Sequence, residues 1–114
     1  MALPADIREK VEWKLALYCE RKIPNRVRDQ IQLGYRFRGN SVTLVERRPA
    51  VLEPGVWTEF AVAQFRLDPE TLSWSLYCRD RNERWHYYDD VEPSPDLADL
   101  LREVNEDPTG IFWG

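Results

Sequence analysis

Between Pro4 and Lys22 the apolar residues Ile7, Val11, Leu15 and Tyr18 recur at helical spacing, and Trp13 and Leu17 widen the stripe. The pattern predicts a helix with one buried face. Pro4 and Asp6 suit its first turn, Arg21 and Lys22 its last, and Ile23-Pro24-Asn25 stops it. After Pro24 the period shortens to two. Ile31, Leu33, Tyr35 and Phe37 alternate with Gln30, Gln32, Arg36 and Arg38, as in a strand with one wet face.

Gly39-Asn40 is a two-residue hairpin turn. A tight turn pairs Arg38 with Ser41, Phe37 with Val42, Arg36 with Thr43 and Tyr35 with Leu44, so apolar meets apolar and polar meets polar. The same register sets Arg47 opposite Gln32. The outer face then carries Arg36, Arg38 and Arg47, with Arg26, Arg28 and Arg48 at its rim.

Pro49 to Val56 reads as a loop, and Trp57 to Leu67 as a third strand whose two faces both hold apolar residues. Asp68-Pro69-Glu70-Thr71 turns the chain into a fourth strand, Leu72 to Arg79. Asp80-Arg81-Asn82-Glu83 turns it into a fifth, Arg84 to Tyr88. Ser94-Pro95-Asp96 opens a last helix with Ser94 as its N-cap, and Leu97, Leu100, Leu101 and Val104 form its buried stripe. The chain finishes as Ile111-Phe112-Trp113-Gly114, a tail too apolar to hang in water, which predicts docking against the helix and sheet. These elements predict a single α+β domain over residues 1–114: an N-terminal helix, a five-stranded antiparallel meander and a C-terminal helix with its tail, both helices on one sheet face.

Composition supports a folded domain, with 43% hydrophobic residues in 114. The longest apolar run, Leu15 to Cys19, is far short of a membrane span, and the first residues have no signal-like core. Two distant cysteines, Cys19 and Cys78, and one histidine, His86, favour reduced thiols over a disulfide framework or a zinc site. Together these features predict a cytoplasmic protein without membrane, metal or cofactor.

The net charge of −4 conceals a division. Through Arg48 there are 11 Lys and Arg against 6 Asp and Glu, giving +5, whereas from Pro49 onward 5 face 14, giving −9. Either the first half offers a basic patch to a polyanion, or the two halves complement one another.

Val27-Arg28-Asp29-Gln30, YRFRGNSVTLVERR from Tyr35 to Arg48, RDRNERWHYYDD from Arg79 to Asp90 and DPTGIFWG from Asp107 to Gly114 together resemble a bacterial family catalogued as domain of unknown function three-thousand-twenty-four. The resemblance covers nearly the whole chain. It implies a small, stand-alone bacterial cytosolic protein and transfers no functional residues.

Phosphate loops, paired CxxC, HExxH and GxSxG elbows do not occur in the sequence. Three clusters carry the remaining chemistry. Arg36, Arg38 and Arg47 could clamp phosphates or an acidic protein surface, and a homo-oligomer is compatible with the same face. Arg79, Arg81, Arg84, His86, Tyr87 and Tyr88 cluster on the last hairpin, and Arg79, Arg84, His86 and Tyr88 among them could supply a charge stabiliser, a base and a phenol, as RNA cleavage by a small toxin requires; a structural histidine is the plainer reading. Asp89, Asp90 and Glu92 are best read as helix-dipole and solubility acids. The leading expectation is a non-catalytic macromolecular-binding or assembly module using the arginine face. The alternative is a small ribonuclease-type toxin.

Overall fold

The computed structural model describes residues 2–113, so Gly114, the end of the predicted tail, lies outside the described residues. Helix α1 spans Ala5–Lys22, a single 3-10 turn spans Asn25–Val27, and strands β1 (Gln32–Arg38), β2 (Ser41–Pro49), β3 (Trp57–Leu67), β4 (Trp74–Arg79) and β5 (Trp85–Tyr87) precede helix α2 (Leu97–Glu106). The five strands form one antiparallel sheet in sequence order, a meander.

Register between β1 and β2 is the one that pattern and turn dictate: Arg38 faces Ser41, Arg36 faces Thr43 and Gln32 faces Arg47. A one-residue slip would turn Val42 and Leu44, both fully buried, out to water. Gly39 takes a positive φ of 57° in the turn, a conformation that glycine adopts without a Cβ penalty. Val11 and Leu15 of α1 and Leu97, Leu100, Leu101 and Val104 of α2 pack in one cluster with Val42, Leu44, Phe65, Leu67, Trp74, Leu76 and Cys78. These sheet residues share one face, so both helices cover that face and the opposite one stays open.

Several local details differ from expectation. Trp13 is 72% exposed, because the buried stripe of α1 is only as wide as Val11 and Leu15 require. Asp96 caps α2 in place of Ser94, accepting from Ala98 N at 3.0 Å, while Ser94 exchanges backbone hydrogen bonds with Trp74. Strand β2 runs through Pro49, whose missing N–H falls at the strand's last position. A bulge sets Leu44 opposite Ala63 but Val45 opposite Ala61, leaving Val62 as the extra residue of β3.

The tail docks. Asp107 ends α2 in the left-handed region, at φ 43° and ψ 58°, and its carboxylate accepts from Phe112 N at 3.0 Å and from Trp113 N at 2.8 Å. Phe112 is buried beside Tyr88, ring centroids 5.1 Å apart, and Trp113 Nε1 donates to Val104 O at 2.9 Å.

Both cysteines are free. Burial pushes the Cys19 thiol up to about 11, because its thiolate would have to form among apolar neighbours. The folded pKa lies above the unfolded one, so this group's contribution to stability is fully present below the ordinary thiol range and is lost as pH rises through about 11. At about pH 8, iodoacetamide should modify folded Cys19 about a hundredfold more slowly than the same thiol in urea. Equal rates would show that the fold does not desolvate it.

Candidate functional site

Strand alternation sends Arg36 and Arg38 of β1, Ser41, Thr43 and Arg47 of β2, and Glu59, Gln64 and Arg66 of β3 to the open face. Ser75, Tyr77 and Arg79 of β4 continue it, and Trp85 and Tyr87 of β5 complete it. The pairings define a direct row across all five strands: Arg36, Thr43, Gln64, Tyr77, Tyr87. Four strand spacings make such a row about 19 Å long. Beside it runs a second row of Arg38, Ser41, Arg66 and Ser75.

Contacts lock the first row into one geometry. Gln64 Nε2 donates to Thr43 Oγ1 at 2.9 Å, Arg66 Nε donates to Gln64 Oε1 at 2.7 Å, and the Arg66 guanidinium lies 3.7 Å from the Tyr77 ring centroid. Tyr77 and Tyr87 meet edge to face, 5.6 Å apart. One strand position away, Arg79 lies 5.8 Å from the Trp85 ring and 3.5 Å from Glu83. The Arg79 Nε is buried with no hydrogen-bond partner among the described residues.

At the other end of the face a single acid holds two of the three arginines singled out in the sequence. Arg36 grips Glu59 in bidentate fashion, at 2.9 and 2.7 Å, and Arg47 Nε stands 3.9 Å from the same carboxylate. The hydrogen bonds from Arg36 hold the Glu59 carboxyl below the usual carboxylate range. Arg38 is exposed, and no ion pair holds it among the described residues. Arg28 leaves the rim to cap α1, donating to Ile23 O and Glu20 O, and Arg48 pairs with Glu46 on the other side of β2. The face therefore holds five arginines, Arg36, Arg38, Arg47, Arg66 and Arg79, against Glu59 and, at the β4–β5 turn, Glu83.

The residues of the last hairpin are placed apart. Arg79 lies on the open face. His86 is on the opposite side of β5, its Nε2 at 2.6 Å from Asp80 Oδ2. The hydrogen bond from His86, with those from the Arg84 and Asn82 N–H groups, pulls Asp80 down to about 2. Tyr88 is buried beneath α2, where its hydroxyl donates to Glu103 Oε2 at 2.5 Å, and burial raises its pKa strongly. Arg84 offers its backbone N–H to Asp80. Asp89, Asp90 and Glu92 stand exposed in the bends before α2.

Helices α1 and α2 also flank an open groove of about 560 Å³ lined by Lys14, Leu17, Tyr18, Arg21, Lys22 and Arg102 among others. Two of its cations are occupied: Lys14 by Asp96 at 2.5 Å and Lys22 by Asn105 at 3.1 Å. Arg66, Tyr77 and Trp85 escaped the sequence reading as site residues. The signal for Tyr77 was the alternation in Ser75-Leu76-Tyr77-Cys78-Arg79, where tyrosine and arginine occupy the wet positions.

No curated protein and no solved structure matches the chain. A family model does, over residues 3–114, and the chain belongs to the family described as Domain of unknown function (DUF3024).

Proposed function

We propose that this protein is a non-catalytic binding module whose open sheet face seats a polyanion. The observation that carries the reading is the concentration of five arginines against two acids, Glu59 and Glu83, on the sheet face that no helix covers, in a chain whose net charge is −4. Arginine suits the task, since its planar fork pairs with phosphate oxygens through two parallel hydrogen bonds. Serine, threonine and glutamine between the arginines keep the surface wet and low, so an extended ligand can lie across the strands. Two free cysteines and the family resemblance support a bacterial, cytoplasmic setting for this binding.

A small ribonuclease is the second reading, favoured by the short His86–Asp80 contact. Tyr88 follows on the same side of the strand, but its phenol is buried and donates to Glu103, and Arg79 lies on the opposite face, so binding takes precedence.

Glu59 tests the proposal by a gain. It competes with the ligand for Arg36 and Arg47, so Glu59→Gln should release both and remove one repulsive charge. Binding of inorganic polyphosphate at low salt is expected to tighten about fivefold, the size of one screened charge contact of roughly 1 kcal/mol. The log-log salt slope should steepen from about −2 toward −3. Unchanged or weaker binding would argue that the ligand does not use these arginines.

A further inference from the structure

The arginine-rich end of the face accounts for charge but leaves its far end unexplained. There, Tyr77, Trp85 and Tyr87 crowd the outer surface of β4 and β5, with Tyr87 49% exposed and Trp85 half-buried. Three aromatic rings on an open sheet face are costly to leave in water, and none of them contributes to the core cluster. They are also held still. Arg66 covers one face of Tyr77, Tyr77 meets Tyr87 at an interplanar angle of 68°, and Arg79 lies by the Trp85 ring.

We infer that this cluster is a base-stacking platform, and that the polyanion seated on the face is single-stranded nucleic acid. The inference rests on the binding reading above and names its ligand class. Trp85 and Tyr87 are separated by one residue on one strand, so their side chains lie on the same face about 7 Å apart, within the span of successive unstacked nucleotides. The row from Arg36 to Tyr87 joins a phosphate-binding end to a stacking end without interruption. Rings and arginines combined in this way are the features by which sheet surfaces hold single strands: the backbone meets guanidinium groups and the bases meet π-faces.

An acidic protein surface would satisfy the arginines but give the aromatic end nothing to bind. A duplex would fit poorly, because its bases are stacked inside and would leave the aromatic end nothing to stack on. Stacking is largely indifferent to base identity, so broad sequence tolerance follows.

The test compares a uridine decamer, inorganic polyphosphate and a glutamate decamer as ligands of the full chain. Tyr87→Ala and the double variant Trp85→Ala with Tyr87→Ala should weaken the uridine decamer by about tenfold and about a hundredfold. Polyphosphate affinity should stay within about twofold, since the arginines remain. Tyr87→Phe, which keeps the ring, should bind the uridine decamer as the parent does. Tyr87 is half exposed, so its single variant keeps the test valid if the double variant does not fold. Equal losses for uridine and polyphosphate, or no loss for uridine, would overturn the stacking platform while leaving polyanion binding in place. A glutamate decamer that binds as tightly as uridine would assign the face to an acidic protein. Failure of the parent to bind either phosphate ligand would defeat the binding reading itself.

Discussion

Removing residues 111–114 is expected to lower stability by roughly 2 to 5 kcal/mol, a large fraction of what a domain of this size possesses. The estimate follows from what the tail touches. Phe112 is 8% exposed and fills the space beside Tyr88, so its loss opens a cavity in the main cluster. Trp113 satisfies the Val104 carbonyl near the end of α2, where helical carbonyls lack partners, and its ring lies 5.1 Å from the Lys22 ammonium. Deletion also leaves the Asp107 carboxylate without the two backbone N–H groups that now compensate its left-handed strain.

The melting temperature should fall by roughly 10 to 25 °C. Phe112→Ala alone should reproduce most of that fall. Ile111→Ser should cost little, because Ile111 is 46% exposed. An unchanged melting temperature with lost ligand binding would make the tail a recognition segment instead of a structural one.

Much of this fold was legible because single faces are buried. In β1 and β2 the two-residue turn and the strict alternation from Leu33 to Leu44 leave one register that keeps Phe37, Val42 and Leu44 from water, and the structure has that register. Strand β3 resisted the same treatment for a physical reason. The bulge at Val62 breaks the period of two, so Phe60, Ala61, Val62 and Ala63 show no consistent inside and outside when read as an unbroken strand. Trp13 misled because helical spacing defines a stripe but not its width, which only the helix's neighbours decide. At the start of α2, serine and aspartate are both good caps, and the pairing of Ser94 with Trp74 across the sheet edge settles the choice.

The candidate site divides along the same line. Arg36, Arg38 and Arg47 were readable from one hairpin, since only its turn had to be known. Glu59, which holds two of them, lies beyond the unresolvable faces of β3. The stacking cluster needed the registers of β3 with β4 and β4 with β5, none of which a local pattern fixes. Both features that sharpen the functional reading, the competing acid and the aromatic end, are thus products of long-range pairing.

The second large effect is expected at the arginines themselves. Replacing Arg36, Arg38 and Arg47 together by glutamine removes three positive charges that guanidinium geometry suits to phosphate. The fold should tolerate the change, because these side chains are exposed or nearly so and an exposed ion pair such as Arg36–Glu59 contributes at most about 1 kcal/mol. Arg66 and Arg79 remain, tied to Tyr77 and Trp85, so weak residual binding is expected.

Binding of polyphosphate and of a uridine decamer to this triple variant, measured by titration between about 50 and 200 mM salt, is the most direct test that the open sheet face is the binding surface. Affinity for both ligands should drop about a hundredfold at the lowest salt, and the slope of log affinity against log salt should move from about −2 toward zero, with the melting temperature little changed. Parent-like affinity and slope in a folded triple variant would contradict the account and send the search to the groove between α1 and α2.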